Sequence, residues 1–267
     1  MKNRWRGGVH TVRVIVASVL FLFACQTPVS AADRFGAPQP VARETGGLHT
    51  AIGYSYLEDK YEKGREYVVR RNQIYSELGY GARNWDAYGR IGISELRIND
   101  FFRSTALSTT TSRDDFTDQW NLFGTLGVKG FYPLSDLFGV GAFVQGSYYF
   151  RDFNDSVWGT RGGVPYHAEV KLKDLWDVNF GLAFQATIPG GIRLYAGPYL
   201  YYSEGRISPS SNIPGVAFSE GGRTLKNETI LGGFAGTDVP LGRGFRLNLE
   251  GQYSERLSVG AAVTYSY

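Results

Sequence analysis

Histidine is the side chain best suited to proton transfer near neutral pH. Beyond residue 31 the chain has only two, His49 and His167. His167 stands in the run Tyr166-His167-Ala168-Glu169, where Glu169 could orient the ring. A hydrolytic base needs a nucleophile or a water-positioning carboxylate within hydrogen-bond reach. Pro165 stands two residues before His167 and Glu169 two after it, so neither neighbour is a hydroxyl and only one is an acid. A solvated loop histidine is the favoured reading of His167. One His with one acid is also too small a set for a metal. No catalytic residue, metal or cofactor is expected.

Other polar groups suggest binding or lining rather than catalysis. Lys129, Arg193, Asn248 and Glu250 each sit opposite apolar residues in alternating stretches. They would line a narrow pore or form a polar network that fills a lumen, and the filled lumen is favoured because Tyr195, Tyr199 and Tyr201 fall on the same face. The Ser/Thr-rich run from Arg103 to Asp118 reads first as a solvated loop and second as an adhesive surface. Gly159, Gly162, Gly163, Gly221 and Gly222 lack the Gly-Lys-Ser/Thr ending and the βαβ setting of a phosphate loop. Asn227-Glu228-Thr229 matches a glycosylation acceptor, but it lies in or beside a strand and carries little weight.

The elements that must position these groups have a period of two. In 257–267, Leu257, Val259, Ala261, Val263, Tyr265 and Tyr267 share one face, against Ser258, Gly260, Ala262, Thr264 and Ser266. The same alternation runs through Val140–Phe150, Trp176–Ile188, Ile192–Tyr202, Phe245–Tyr253 and Trp120–Val128. Strands buried on both faces would be apolar on both, and sandwich strands are mostly about 5–6 residues long. These run to ten or more, the length that crosses a bilayer at barrel tilt. The expected strands are 48–58, 66–80, 87–97, 119–132, 137–150, 169–188, 192–203, 226–237, 245–253 and 257–267. That makes ten, or eight if the charged pair 66–80 and 87–97 fails. Short turns alternate with longer polar stretches at 99–118, 151–167 and 204–224. Pro198 cannot donate to a ladder, so a bulge or local break is expected there. Strand 257–267 must pair with 48–58, because an open sheet edge in lipid leaves backbone groups unsatisfied. Tyr132, Tyr148, Phe150, Trp176, Tyr202, Tyr253, Tyr265 and Tyr267 are expected at the two water–lipid boundaries.

The first segment reads as an export signal. Lys2, Arg4, Arg6 and Arg13 precede the apolar run Val14–Ala24, too short for a membrane helix, and Val29-Ser30-Ala31-Ala32 offers a cut after Ala31. The competing reading takes Leu22-Phe23-Ala24-Cys25 as a lipoprotein signal, with Cys25 lipidated. Cys25 is the only cysteine, so no disulfide forms within the chain. The chain has 28 Lys+Arg and 25 Asp+Glu. Residues 1–31 hold four of the cations and no acid, which leaves the remainder at a net charge of −1. Basicity therefore gives no reason to expect nucleic-acid binding. Residues 32–47 are read as a flexible periplasmic lead, and 48–267 as one domain.

The terminal aromatic of 257–267, with apolar residues at every second position before it, resembles the assembly signal of bacterial outer-membrane barrels, carried here by Tyr265, Tyr267 and Val263. Over 48–267 the architecture is similar to the small outer-membrane barrels of the OmpA/OmpX and opacity kind. The resemblance implies an all-β, antiparallel up-and-down transmembrane β-barrel in the outer membrane. It implies contact with outer-membrane lipid and lipopolysaccharide, and delivery by the barrel-assembly machinery. An omptin-like protease would carry Asp where Pro165 stands, and a lipid A deacylase or phospholipase would carry Ser where Glu169 stands. The favoured function is non-enzymatic: surface loops that bind an extracellular or envelope partner, or a body that supports the envelope. The alternatives are a narrow channel or lipid-handling barrel and, third, a membrane hydrolase.

Overall fold

The computed structural model describes residues 35–40, 46–62, 66–104, 110–161, 163–211, 223–227, 231–254 and 257–267. Among these, thirteen strands form one antiparallel sheet. They are β1 (Gly47–Glu62), β2 (Glu66–Gly81), β3 (Trp85–Ile98), β4 (Thr110–Thr111), β5 (Phe116–Pro133), β6 (Phe138–Tyr149), β7 (Phe153–Arg161), β8 (Val164–Ile188), β9 (Ile192–Ser211), β10 (Arg223–Asn227), β11 (Leu231–Gly242), β12 (Phe245–Tyr253) and β13 (Leu257–Ser266). A single helical turn, α1 (Phe101–Ser104), follows β3. The sheet closes on itself: β1 pairs β2 on one edge and β13 on the other, with Ile52 opposite Val263. The expected seam between the first and last strands is therefore present.

The strand count differs from the ten, or eight, expected. The excess lies where polar loops were read. β7 occupies 153–161 and pairs the outer part of β8, with Trp158 opposite His167. β9 runs on to Ser211, and β10 bridges it to the end of β1. Asn154, Thr160, Arg206 and Lys226 of these stretches lie on the outside, over an inner side that is mainly apolar but includes buried Asp155 and Asn227.

The wall has two regimes. Toward the end carrying the short turns, apolar residues point outward: Ile52, Leu78, Ile91, Leu126, Val144, Leu182 and Phe184 are exposed, with Leu126 at 77%. The same strands point polar groups inward, among them Gln73, Glu77, Arg90, Lys129, Gln145 and Asn179. Toward the long-loop end the sense reverses. There Phe101, Phe102, Phe116, Phe153, Val157, Tyr166, Val170, Leu172 and Ile207 are buried in one internal apolar cluster.

Two irregularities mark the reversal. Trp120 and Asp174 both have positive φ, 64° and 50°. Each lies within or beside a shift of register, between Ser94 and Leu96 where β3 meets β5 and between Lys173 and Trp176 where β8 meets β9. An extra residue in one strand of a pair moves every later side chain to the other face. Tyr166, Ala168, Val170 and Leu172 therefore point inward. Trp176, Val178, Phe180 and Leu182 point outward, although the sequence alternation keeps one phase throughout.

The short turns rely on left-handed backbone at Gly190 and Gly191 and again over Gly242, Arg243 and Gly244. At Pro198 the ladder to β8 lapses between Ala196 and Tyr199 without a change of register, while the ladder to β11 continues as Pro198 opposite Gly233. A local break rather than a bulge is thus what Pro198 produces. Tyr132, Tyr148, Phe150, Tyr253 and Tyr267 are exposed near strand ends. Trp176 packs on Tyr202 at 5.4 Å, and Tyr265 lies between Phe245 at 4.7 Å and Tyr267 at 5.0 Å.

Candidate functional site

The inside of the barrel is the part of the molecule richest in chemistry, and it is layered. Nearest the short turns, residues 35–40 lie within the wall. Phe35 is fully buried against Phe143, Phe234 and Tyr199, at ring distances of 3.9, 5.2 and 5.4 Å. The N–H groups of Phe35 and Gly36 donate to the two carboxylate oxygens of Glu250, at 3.3 and 2.9 Å. The N–H of Gln39 donates to Gln185 Oε1 at 3.3 Å, Gln185 Nε2 donates to Gln39 Oε1 at 2.6 Å, and Arg193 donates to the Gln39 carbonyl at 3.2 Å. The expectation of a flexible periplasmic lead over 32–47 fails for these six residues. The physical reason is that Phe35 and Ala37 find an apolar cluster inside the wall, and the backbone between them finds side-chain partners there. Residues 32–34 and 41–45 fall outside the described set, as do residues 1–31, where an export signal is expected, and Cys25 among them.

Across from this segment, on β1, β2, β3 and β5, sits a buried charged group. His49 Nε2 lies 3.4 Å from Glu77 and 3.7 Å from Asp86, and Arg90 binds Glu77 at 2.6 Å. The Arg90 guanidinium lies 4.7 Å from the ring centroids of both Tyr75 and Tyr88, and Lys129 Nζ lies 5.1 Å from that of Tyr88. Tyr88 in turn lies flat over Gly127, where a Cβ would strike the ring, and Phe143 covers Gly181 in the same way. Glycine on the neighbouring strand is what lets these rings fold across the lumen.

The middle layer is centred on Arg71, among the largest fully buried side chains. Its guanidinium donates to Tyr149 Oη at 2.8 Å, to Asp177 at 3.2 Å and to Tyr201 Oη. Gln73 also donates to Tyr149, at 2.8 Å, and Tyr61 donates to Ser203 at 2.7 Å. A buried cation is tolerated when it is paired and its donors are used, and Arg71 meets both conditions. Between Ser55, Gln73, Arg90, Gln145 and Asp177 a cavity of about 20 Å³ remains, room for about one water. Above this layer the internal apolar cluster of the long-loop end closes the lumen again.

The four residues read from the sequence as lumen groups, Lys129, Arg193, Asn248 and Glu250, are all buried inside the wall. They do not form one site. Lys129 belongs to the charged group, whereas Arg193 and Glu250 hold residues 35–40, and Asn248 accepts from Tyr195 at 2.7 Å. His167 and Glu169 lie instead on the outer face of the β7–β8 hairpin. The ring of His167 packs on Trp158 at 4.3 Å, and Glu169 pairs with Lys171 at 3.3 Å. Among the described residues no group of three His, Cys, Asp or Glu could hold a metal ion. Tyr265, Tyr267 and Val263 lie on the outward face of the closing strand.

Arg71, Asp177, Tyr149, Gln185 and Gln39 were missed by the sequence reading. Arg71 shares its parity with Gln73 and Glu77, which was the available signal. Charge in 66–80 blurs the apolar pattern around it.

No protein-family model matches this chain, and no curated protein matches it. Solved structures do. The translocator domain of the autotransporter NalP from Neisseria meningitidis is 12% identical with a TM-score of 0.50, over 88% of this chain and 91% of that one. An outer membrane channel from Pseudomonas putida F1 is 12% identical, with a TM-score of 0.44 over 88% of this chain and all of that one. The beta domain of the Bordetella autotransporter BrkA is 17% identical, with a TM-score of 0.37 over 84% of this chain and all of that one. The closed antiparallel sheet with its apolar outer belt is the fold of a bacterial outer-membrane β-barrel. At these identities the likeness extends to the fold and no further.

Proposed function

We propose that the chain is a non-enzymatic, non-conducting outer-membrane barrel that carries a rigid β-structured head beyond the membrane, where it contacts lipopolysaccharide or an envelope partner. In this reading residues 1–31 direct export, the barrel-assembly machinery inserts the chain, and both ends of 47–267 face the periplasm. The membrane ring consists of β1, β2, β3, β5, β6, β8, β9, β11, β12 and β13, a count of ten, with β4, β7 and β10 belonging to the head. The observation that carries the reading is the closed lumen. Residues 35–40, the Arg71 layer and the apolar cluster occupy it in succession. A small barrel is ordinarily filled by its own side chains.

The experiment is single-channel recording in planar bilayers. The purified, heat-modifiable protein is expected to give no reproducible open steps. Stable unitary conductance would replace this reading with the narrow-channel alternative.

A further inference from the structure

The half of the lumen beside the short turns has the features of a peptide-recognition site, and the site is full. Five polar contacts hold residues 35–40, and four of them go to backbone: the N–H groups of Phe35, Gly36 and Gln39 and the carbonyl of Gln39. The fifth is the amide contact between Gln185 and the Gln39 side chain. Every barrel partner is a side chain. The segment joins no strand ladder, so the wall is complete without it.

The contacts also impose a reading frame. The pocket made by Phe143, Phe234 and Tyr199 requires an aromatic ring at the first position. Gly36 has φ +72°, a conformation that glycine adopts freely. Pro38 occupies the space beside Gly141 where any Cβ on that strand would collide. Gln39 offers an amide to Gln185 four positions after the ring. Glu250 and Gln185 are 3% and 2% exposed. Glu250 also accepts from Tyr195 and Gln252, and Gln185 donates to Thr187, so the groups that meet the segment are anchored in the wall independently of it.

We propose that this half of the lumen is a peptide-binding cup. Its resident ligand is the chain's own Phe35–Pro40, held in cis and exchangeable for a peptide of the same bent form, with an aromatic–glycine pair and an amide side chain four positions after the aromatic. The proposal goes beyond the closed-lumen reading, since none of the Arg71 contacts involves residues 35–40.

The test uses the full chain folded in detergent and a fluorescein-labelled hexapeptide, Phe-Gly-Ala-Pro-Gln-Pro, followed by anisotropy. A chain with Phe35→Ala and Gln39→Ala, which weakens the cis occupant, is expected to bind the peptide at least about tenfold more tightly than the unaltered chain. Adding Glu250→Gln to it should remove about tenfold of that affinity, the scale of a lost charge-assisted contact. A peptide with Ala in place of its Phe should not bind. Equal binding by the weakened and unaltered chains, both heat-modifiable, overturns the proposal, as does equal binding of the Phe and Ala peptides. Should the weakened chain not fold, a protease site placed between Pro40 and Gly46 is cut after folding. The labelled peptide should then displace the cut segment, and a segment that stays in place under excess peptide refutes exchange. Current is recorded in parallel. A cut chain that conducts and binds peptide counts against the closed lumen only, and one that is silent and binds none counts against the cup only.

Discussion

Replacement of Arg71 by Ala tests the central layer of the lumen. The substitution removes the donor to Tyr149, Asp177 and Tyr201 at once, and leaves the Asp177 carboxylate, 2% exposed, without its cation. Breaking one side of a buried ion pair costs about 3–5 kcal/mol, whereas replacing both partners by apolar groups of similar size is close to neutral or stabilising. Arg71→Ala should therefore lower the unfolding free energy by about 3–5 kcal/mol. Arg71→Met combined with Asp177→Leu should recover most of that loss. Urea titration of the protein in lipid vesicles, followed by tryptophan fluorescence and heat-modifiable mobility, measures both. Conductance should stay absent in Arg71→Ala, because the apolar cluster above and residues 35–40 below remain. A single-variant cost below about 1 kcal/mol, or a double variant worse than the single one, would refute the claim that the pair is a buried, mutually dependent unit.

Three further outcomes are expected. Leu126→Arg places a charge on the most exposed apolar position of β5 and should cost about 2–4 kcal/mol in vesicles; a change of a few tenths would place Leu126 outside the lipid belt. Asp174→Val forces a β-branched side chain into positive φ and should cost about 1–2 kcal/mol, while Asp174→Gly is neutral or stabilising; equal melting of the two variants would contradict the face-switching bulge. At Asp115, burial raises the carboxyl pKa, but the N–H of Asp100 and the Arg97 guanidinium outweigh it and hold the pKa below the usual carboxylate range. A depressed folded pKa gives stability that is present above the unfolded value, near about 4, and lost as pH falls through the folded one. The segment around Asp100 and Asp115 should therefore become protease-sensitive only below about pH 4. In Arg97→Ala that onset should move to higher pH, and an unmoved onset would rule out this anchor.

Much of the fold was legible because lipid enforces one rule on every strand inside it. The alternation of Val140–Phe150 and Phe245–Tyr253, and the seam between 48–58 and 257–267, follow from that rule alone. The head was not legible in the same way. In 164–172 and 176–188 the even positions are apolar throughout, so the chain gives no outward sign that Leu172 faces a core and Trp176 faces lipid. The switch depends on the backbone at Asp174. The lumen groups were identifiable by parity as inward, and Lys129, Arg193, Asn248 and Glu250 are indeed buried. The partners of Glu250 and Arg193 were not identifiable, because Phe35, Gly36 and Gln39 come from a stretch without periodicity, and period is the only signal that a strand pattern supplies. His167 illustrates the opposite case: its chemistry was visible, but its place on the outer face beside Trp158 depends on a hairpin that the sequence reading took for a loop.

The contact between Phe35 and Glu250 spans 215 residues. The other groups that receive the segment come from β6, β8, β9 and β11, and Glu250 itself lies on β12, which the ribosome makes among the last. Until those strands are made and paired with one another, residues 35–40 have no pocket to enter. Their docking is therefore a late event in maturation, a molecular seal set after that part of the wall is complete. A half-built barrel would still carry its Phe-Gly-Ala-Pro-Gln segment outside, open to proteases and to quality control, and the finished one would not.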